Sequence, residues 1–358
     1  MHIKTFAVAA VGLGLVTLSA CGSSPSDKGS AGSKTVTLVS HNSWAASKSV
    51  IADFEKSSGY KVKVLEDGDA GQAVNKAILT KDNPQGDVFF GVDNTLLSRA
   101  LDNGLFQPYE PKGADLILPQ YRVDEAKHRV TPVDTGDICV NYDKKYFADH
   151  KLTPPASFDD LIKPEYRNLL VTENAATSSP GLGFLLGTAA KYGDQGWQDY
   201  WKKLKANGVK VVDGWEQAYN QEFSGSAGGR KAKGDRPLAV SYASSPPAEV
   251  IYADPRPKTA PTGVAQGTCF RQVEYAGLLS NARNTEGGKA FLDFLITKKF
   301  QDDMPLNMFV YPVREGAQVP AEFAEYGPQA KNPETLAPDR IAANRDQWVK
   351  SWTSLVLR

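Results

Sequence analysis

The chain has 358 residues, and its 41 Lys and Arg residues balance its 41 Asp and Glu residues, so that the formal net charge is zero. This balance argues against a nucleic-acid-binding protein, which usually carries a basic surface. Hydrophobic residues make up 41% of the chain and charged residues 23%, as is typical of a packed globular protein rather than a disordered one.

The N-terminus predicts export followed by anchoring. Residues 1–4 are basic, and the apolar run over 6–17 is too short for a membrane-spanning helix, so that 1–20 is interpreted as a signal peptide. Leu18-Ser-Ala-Cys21 resembles a bacterial lipobox, which implies cleavage before Cys21 and a lipid on its thiol. Residues 21–34 then predict a flexible tether. The expected location is extracytoplasmic, lipid-anchored to the bacterial cell membrane; the alternative is an ordinary cleaved signal with an incidental cysteine.

Strand and helix patterns alternate in the first part of the chain. Strands are predicted at 35–40, 61–65 and 87–92, and each is followed by a helix: one ending at Gly59, one over 73–79 and one ending at Gly104. This βαβα order predicts a parallel sheet. A long extended segment over 129–142 follows.

The alternation then resumes. Strands are predicted at 169–172, 209–212 and 238–242, with helices over 182–192, 197–205 and 216–223. A second extended segment over 268–276 precedes helices over 286–297 and 340–355. Gly225–Gly234 is a low-complexity segment interpreted as a surface loop. Two α/β halves joined by two extended segments predict two lobes with a cleft, where ligands bind beyond the carboxyl ends of the strands.

A hydroxyl-rich motif, Thr177-Ser-Ser-Pro-Gly-Leu-Gly183, predicts a helix start with Ser179 as the N-cap and Pro180 in the first turn. Its hydroxyls and free backbone N–H groups suit an anion, although a plain capped helix is the alternative.

Aromatic residues lie at or after the ends of two other predicted strands and in the segment Met308-Phe-Val-Tyr-Pro312. Trp215, Tyr242 and Phe309 can stack on a flat or cationic ligand, although each alone is more often a core residue. Enzyme motifs are absent from the sequence: its four histidines are scattered, and no H-E-x-x-H, G-x-S-x-G or P-loop pattern occurs. The pattern therefore predicts a binding protein rather than an enzyme.

Six motifs, taken together and in this order, resemble the thiamine-binding proteins of bacterial ABC importers. They are Leu65-Glu-Asp-Gly68, Gly91-Val-Asp-Asn-Thr-Leu-Leu97, Thr177-Ser-Ser-Pro-Gly-Leu-Gly183, Gly214-Trp-Glu-Gln-Ala-Tyr219, Ser241-Tyr-Ala-Ser-Ser-Pro246 and Tyr311-Pro-Val313. The resemblance implies an α/β, two-lobed periplasmic-binding-protein fold of type II with the ligand in the interlobe cleft. It also implies capture of thiamine, thiamine phosphate or thiamine diphosphate and delivery to an ABC permease. We further expect a monomer and no cofactor besides the transported ligand.

The ligand contacts implied by the resemblance are carried over by position. They are Asp67, Gly68, Ser178, Ser179, Trp215, Tyr242, Ala243, Ser244, Ser245 and Phe309, with Asn42, Trp44, Asp93 and Tyr219 as further candidates. Phe309 stands where the family pattern has Trp, and His41-Asn-Ser-Trp44 replaces a Tyr-Asp-Ser-Phe-like segment. No catalytic residue and no metal ligand is implied.

The predicted lobes follow from the same resemblance. Residues 35–136 and 270–312 form the first lobe, 137–269 the second, and 313–358 a helical segment that packs on both. Cys139 and Cys269 lie in the two extended segments, and such a pair outside the cytosol is often a disulfide; two buried free thiols are the alternative.

Four other functions stay open at this point. The same fold could bind ferric iron, a polyamine or a phosphonate, and a surface-anchored enzyme is the alternative of another class. Iron sites in this group of proteins usually use adjacent tyrosines, and no Tyr-Tyr pair occurs in the sequence.

Overall fold

The computed structural model describes residues 34–226 and 234–358. The predicted signal peptide, Cys21 and the tether up to residue 33 lie outside the described residues, as does most of the predicted loop, 227–233.

One mixed sheet of ten strands is the framework of the described chain. The strands are β1 (Thr35–Ser40), β2 (Lys61–Glu66), β3 (Val88–Asp93), β4 (Phe106–Gln107), β5 (Thr131–Asp143), β6 (Leu170–Glu173), β7 (Lys210–Val212), β8 (Leu238–Tyr242), β9 (Thr262–Leu279) and β10 (Tyr311–Pro312). Their order is β2-β1-β3-β9-β5-β8-β6-β7, with β4 paired to β9 and β10 paired to β5.

Twelve α-helices of the described residues pack around this sheet. They are α1 (Lys48–Ser58), α2 (Ala70–Leu79), α3 (Leu97–Asp102), α4 (Lys144–Asp149), α5 (Phe158–Leu161), α6 (Ser179–Ala206), α7 (Trp215–Gln217), α8 (Ala248–Ile251), α9 (Thr285–Leu295), α10 (Lys298–Asn307), α11 (Ala321–Tyr326) and α12 (Pro338–Trp352). Single π-helical turns, Ala218–Glu222 and Thr353–Leu357, follow α7 and α12.

The sheet has two parallel halves joined by two long strands. β1 pairs in parallel with β2 and β3, and β6 pairs in parallel with β7 and β8, as the sequence predicts. The long strands β5 and β9 run antiparallel to each other and join the halves, so that the complete sheet is mixed rather than parallel. The lobe bounds inferred from the resemblance stay predictions.

The predicted disulfide is confirmed. Cys139 on β5 and Cys269 on β9 are bonded, and their Cα atoms lie 4.2 Å apart. The bond closes a chain segment of 130 residues between the two strands that join the halves. The disulfide therefore holds together β5 and β9, the two strands that connect the halves of the sheet.

The C-terminal helix connects the two halves through aromatic packing. Trp352 of α12 is fully buried and meets Trp201 of α6 edge to face, with ring centroids 5.4 Å apart. α12 also packs against α3, which follows β3 in the first half. Residues 338–352 thus stabilise both halves through a shared core.

Two local predictions were wrong, and several helices were not predicted. The helices expected over 182–192 and 197–205 are one element, α6, which bends at Gly193, where φ is +69° and glycine is favoured. The N-cap of α6 is Ser178 rather than Ser179. α10 was not predicted, because Pro305 lies inside it and its polar composition hides the pattern.

Candidate ligand-binding cleft

A cavity of about 650 Å³ lies between the two halves of the sheet. Its lining combines aromatic, hydroxyl and acidic side chains. It includes His41, Asn42, Ser43, Trp44, Asp69, Ser179, Pro180, Trp215, Glu216, Tyr219, Asn220, Ser226, Tyr242, Ser245, Glu249, Tyr252, Glu274, Asn307 and Phe309. This volume is in the range of small-molecule sites in proteins.

One side of the cavity, which we call the aromatic wall, consists of Trp215, Tyr219 and Tyr242. Trp215 begins α7 directly after β7, and its ring stacks on Tyr219 with centroids 5.3 Å apart and an interplanar angle of 9°. Tyr242 ends β8. Parallel strands that end at the same edge of the sheet therefore bring these rings together.

A hydrogen-bond chain fixes the aromatic wall. The Trp215 indole Nε1–H donates to Ser241 Oγ at 2.9 Å, and the Ser241 and Ser245 hydroxyls are 2.8 Å apart. The backbone N–H of Tyr242 donates to Ser245 Oγ at 3.2 Å. Because buried aromatic residues with a polar atom need such a partner, this chain determines the orientation of the Trp215 ring.

Phe309 and Tyr252 lie at another side of the cavity and belong to different halves. Their rings meet edge to face with centroids 5.3 Å apart. The Phe309 carbonyl accepts a hydrogen bond from Ser244 Oγ at 2.6 Å. The backbone of Phe309 has φ of +55°, a value that residues other than glycine rarely adopt. The Tyr252 hydroxyl donates to the carbonyl of Leu306 on α10. These contacts connect the halves beside the cavity.

The start of α2 contacts the second half of the sheet on the side of the cavity away from Phe309 and Tyr252. Asp69, the N-cap of α2, accepts a hydrogen bond from the backbone N–H of Trp215 at 2.9 Å and another from Ala70 at 2.6 Å. The backbone N–H of Gln72 donates to the carbonyl of Thr177 at 3.1 Å. A Cβ at Gly71 would lie 2.6 Å from that carbonyl, so only glycine permits this approach.

The charge of the lining is acidic. The described lining residues include the carboxyl groups of Asp69, Glu216, Glu249 and Glu274 but no Lys or Arg, and His41 is their one basic side chain. Burial raises the pKa of Asp69, although the backbone N–H of Trp215 and the His41 ring act in the opposite direction. A cavity with this lining favours a cation over an anion.

Three carboxyl groups lie side by side below the cavity, and we call Asp93, Glu274 and Asp134 the acidic row. Glu274 of β9 is the register partner of Asp93 on β3 and of Asp134 on β5. All three are buried, and only Glu274 lines the cavity. His41 Nε2 lies 3.5 Å from Glu274 Oε1.

The start of α6 brings hydroxyl groups to the cleft. Ser179 and Pro180 line the cavity, whereas Ser178 is buried beside the carboxyl group of Asp69. α6 has 28 residues, so the first-turn N–H groups and the helix dipole favour ligand oxygen atoms at this position.

The structure brings eight of the fourteen predicted contact residues to the cavity and leaves six outside its lining. Those in the lining are Asn42, Trp44, Ser179, Trp215, Tyr219, Tyr242, Ser245 and Phe309. Those outside it are Asp67, Gly68, Asp93, Ser178, Ala243 and Ser244.

The residues outside the lining support those inside it. Asp67 forms an ion pair with Lys76 at 2.5 Å, and the carbonyl of Gly68, at φ of +85°, accepts from the backbone N–H of Asn42 at 2.9 Å. The backbone N–H of Ala243 donates to the carbonyl of Asp137.

Sequence reasoning missed His41, Asp69, Glu216, Glu249 and Glu274. A charged residue inside an otherwise apolar strand pattern, as at Glu274, is the signal that could have identified it. Among residues 34–226 and 234–358, no group of His, Cys, Asp and Glu side chains has an arrangement suited to a metal ion.

The fold and the cleft are those of the two-lobed periplasmic-binding-protein fold, which confirms the predicted fold class. Residues 83–233 match the family described as bacterial extracellular solute-binding protein. The solved structure of a periplasmic thiamin binding protein superposes with a TM-score of 0.77 and 26% identity, covering 90% of this chain and 96% of that one.

The curated relatives agree with this class. The thiamine-binding periplasmic protein of Salmonella typhimurium is 29% identical over 315 residues, which is 88% of this chain and 90% of the relative. The protein of the same description from Brucella suis is 26% identical over 334 residues, 90% of this chain and 92% of the relative. The resemblance to thiamine-binding proteins is therefore confirmed.

Proposed function

We propose that this chain captures thiamine, and with it thiamine phosphate or thiamine diphosphate, in the interlobe cleft and delivers it to an ABC permease. The observation that carries the proposal is the combination of a hydrogen-bonded aromatic wall with four lining carboxyl groups. Thiamine has a flat aminopyrimidine ring, which suits the aromatic wall, and a thiazolium cation, which suits the carboxyl groups. The similarity to thiamine-binding proteins over about nine-tenths of the chain supports the same ligand.

The aromatic wall has the first role in this proposal. The faces of Trp215 and Tyr242 stack on the ligand rings, and Phe309 contacts them from the other half. A cation over an aromatic face contributes roughly 0.5–2 kcal/mol of binding free energy. Asp67 and Gly68 act through the segment that they position, which contains Asn42 and Trp44.

The start of α6 has the second role. Ser179, with Ser178 behind it, faces the hydroxyethyl or phosphate end of the ligand. Ser244 and Ser245 hold Phe309 and Tyr242 in place, as their hydrogen bonds indicate. Asp93 and Ala243 hydrogen-bond to residues of β9 and β5, respectively, and so support the strands beside the cavity.

Binding and release of an unchanged ligand complete the proposed activity. The relatives are solute-binding proteins, and we propose that this chain has no enzymatic activity, requires no cofactor and acts as a monomer.

The homologues are extracytoplasmic binding proteins, and we propose a lipid on Cys21 as the membrane anchor. No helix within residues 34–226 or 234–358 is long and apolar enough to cross a membrane. Cys21→Ser should release the protein from the membrane fraction into the soluble fraction, as measured by cell fractionation and immunoblotting. Full retention of the variant would contradict the anchor.

Calorimetric titration of the purified mature chain tests the ligand. The set comprises thiamine, thiamine phosphate, thiamine diphosphate, spermidine and ferric citrate. We expect saturable binding of the thiamine compounds and none of ferric citrate. Spermidine is the informative competitor, because four carboxyl groups would also suit a polyamine. Tighter binding of spermidine than of thiamine would contradict the proposal.

A further inference from the structure

The acidic row has an arrangement that proteins ordinarily avoid. Asp93, Glu274 and Asp134 occupy directly opposed positions on three neighbouring strands, and their exposed fractions are 0%, 5% and 1%. Opposed like charges on a sheet are destabilising, and burial increases their cost. The three groups therefore favour retention of at least one proton in the absence of a cation.

Hydrogen bonding distinguishes the members of the row. Asp93 accepts from the Thr95 hydroxyl at 2.6 Å and from Gln272 Nε2 at 2.8 Å. No N–H group and no hydroxyl among the described residues donates to the carboxyl oxygens of Asp134, and the group within hydrogen-bond reach is the carboxyl group of Glu274. Two carboxyl groups can share a hydrogen bond only when one of them holds a proton, so Asp134 and Glu274 retain a proton as long as no cation lies beside them.

Glu274 differs from the other carboxyl groups of the cavity. Asp69 accepts two backbone N–H groups, and Glu249 accepts the Tyr219 hydroxyl at 2.9 Å. Glu216 accepts Asn220 Nδ2 at 2.7 Å and Ser43 Oγ at 3.4 Å. Glu274 Oε1 lies 3.5 Å from His41 Nε2, which is at the long limit of a hydrogen bond. Glu274 is thus the lining carboxyl group with acceptor capacity left for a ligand.

The charged and titratable groups around the row come from several elements. They are His41 after β1, Asp69 before α2, Tyr242 of β8, Tyr275 of β9 and Arg345 of α12. Burial raises the pKa of Asp93 to about 6. Burial, followed by the charge of Glu274, raises the pKa of Asp134 well above its ordinary value. Burial opposes protonation of His41, but the hydrogen bond and charge of Glu274 leave its pKa above the ordinary value.

We propose that Glu274 is the residue that recognises the positive charge of the ligand, and that a cation entering the cleft displaces a proton from the acidic row into solvent. The inference rests on the proposed function, because it assigns the charge-selective part of the same cleft. A ligand that binds the less protonated row more tightly must bind with higher affinity as pH rises. The affinity for thiamine should therefore increase between about pH 5 and about pH 7.5, while that for a neutral analogue should stay constant.

Calorimetry in two buffers with different ionisation enthalpies measures the released proton directly. With the wild-type mature chain at about pH 6, thiamine should release a measurable fraction of a proton. An analogue with an uncharged ring in place of the thiazolium should release none. This comparison needs no variant, so it does not depend on how a substitution affects folding.

Glu274→Gln identifies the residue responsible. It should reduce thiamine affinity by roughly 10- to 150-fold, the equivalent of a lost charged hydrogen bond, and abolish proton release. Affinity for the uncharged analogue should change by less than about threefold. Glu173→Gln is the matched control, since Glu173 is fully buried but lies outside the cavity lining. The control should retain proton release.

The outcomes are distinguishable. Thiamine binding by the wild type without proton release, or full release by Glu274→Gln, overturns this inference and leaves the proposed function intact. Equal losses of thiamine and of the uncharged analogue in Glu274→Gln also overturn it, because they indicate a structural role. Failure of the wild type to bind any thiamine compound overturns the proposed function and the inference with it.

Discussion

The aromatic wall lines the cleft and the acidic row lies below it, and the two regions differ in how completely the protein satisfies their hydrogen bonds. The indole N–H of Trp215 has its partner in Ser241, and the hydroxyls of Ser241 and Ser245 continue the chain. In the acidic row, no N–H group and no hydroxyl among the described residues donates to Asp134, and Glu274 faces two other acids. The protein thus fixes the shape of the ligand site in advance and leaves its charge to be balanced by the ligand.

Removal of the disulfide should have the largest effect of these changes, namely on the free energy of unfolding. It tests the strands that support both the aromatic wall and the acidic row. Cys139 and Cys269 lie on the strands of the acidic row, and Cys139 is also the register partner of Ser241 beneath the wall. The double variant Cys139→Ser/Cys269→Ser should lose roughly 2–5 kcal/mol of unfolding free energy in denaturant titrations. Because neither residue lines the cavity, thiamine affinity should change by less than about threefold under native conditions. A large parallel loss of affinity would show that the cleft geometry depends on the bond.

Trp215→Ala removes one ring of the aromatic wall and leaves the acidic row unchanged. Loss of the ring face should weaken thiamine binding by about 1–3 kcal/mol, or roughly 5- to 150-fold, as measured by calorimetry. Trp215→Phe retains an aromatic face but loses the hydrogen bond to Ser241, so that it should have an intermediate effect. Normal binding by the Ala variant would exclude Trp215 from the ligand contacts.

Glu173 sharpens the comparison, because it is a buried acid that does not line the cavity. No other side chain among the described residues hydrogen-bonds to its carboxyl group, and burial raises its pKa well above the ordinary value, although its own backbone N–H acts in the opposite direction. The folded state therefore holds a proton that the unfolded state releases, and stability falls as pH rises above the ordinary glutamate range. Glu173→Gln should stabilise the protein by about 1 kcal/mol at about pH 8 and less at about pH 5. Thermal unfolding at both pH values would measure this, and an equal effect at both would contradict a buried neutral acid.

The smallest expected effect concerns the hydroxyls at the start of α6. Ser179→Ala should weaken binding of thiamine phosphates by roughly 2- to 13-fold and that of thiamine less, because a charged tail forms the stronger hydrogen bond. Ser178→Ala is the comparison, since Ser178 lies behind the cavity beside Asp69. Equal effects of Ser179→Ala on all three ligands, measured by calorimetry, would show that Ser179 does not contact the tail.

The contrast between wall and row also explains what the sequence could predict. The wall follows from local patterns, since Tyr242 is the last residue of one predicted strand and Trp215 lies in the segment that follows another. The row depends on antiparallel pairing among β3, β9 and β5, whose residues are far apart in the chain. Hydrophobic periodicity predicts strands but not which strands become neighbours, so the meeting of Asp93, Glu274 and Asp134 was not predictable.

The bend of a helix and the approach of one element to another were also not predictable from the sequence. The strand and helix order was predicted correctly in most of the described chain, but the continuous bent α6 was not, because a glycine such as Gly193 can either end a helix or bend it. Asp69 was missed for a related reason. Its role depends on the approach of α2 to Trp215 across the cleft, which the sequence does not specify.

The measurement that tests the account most directly is a calorimetric comparison of thiamine with its uncharged-ring analogue on the wild-type mature chain at about pH 7.5. The two ligands match in shape, so the aromatic wall should accept both, whereas only thiamine offers a charge to Glu274. We predict that thiamine binds at least about tenfold more tightly, the equivalent of about 1.4 kcal/mol. Equal affinities would contradict charge recognition by this cleft.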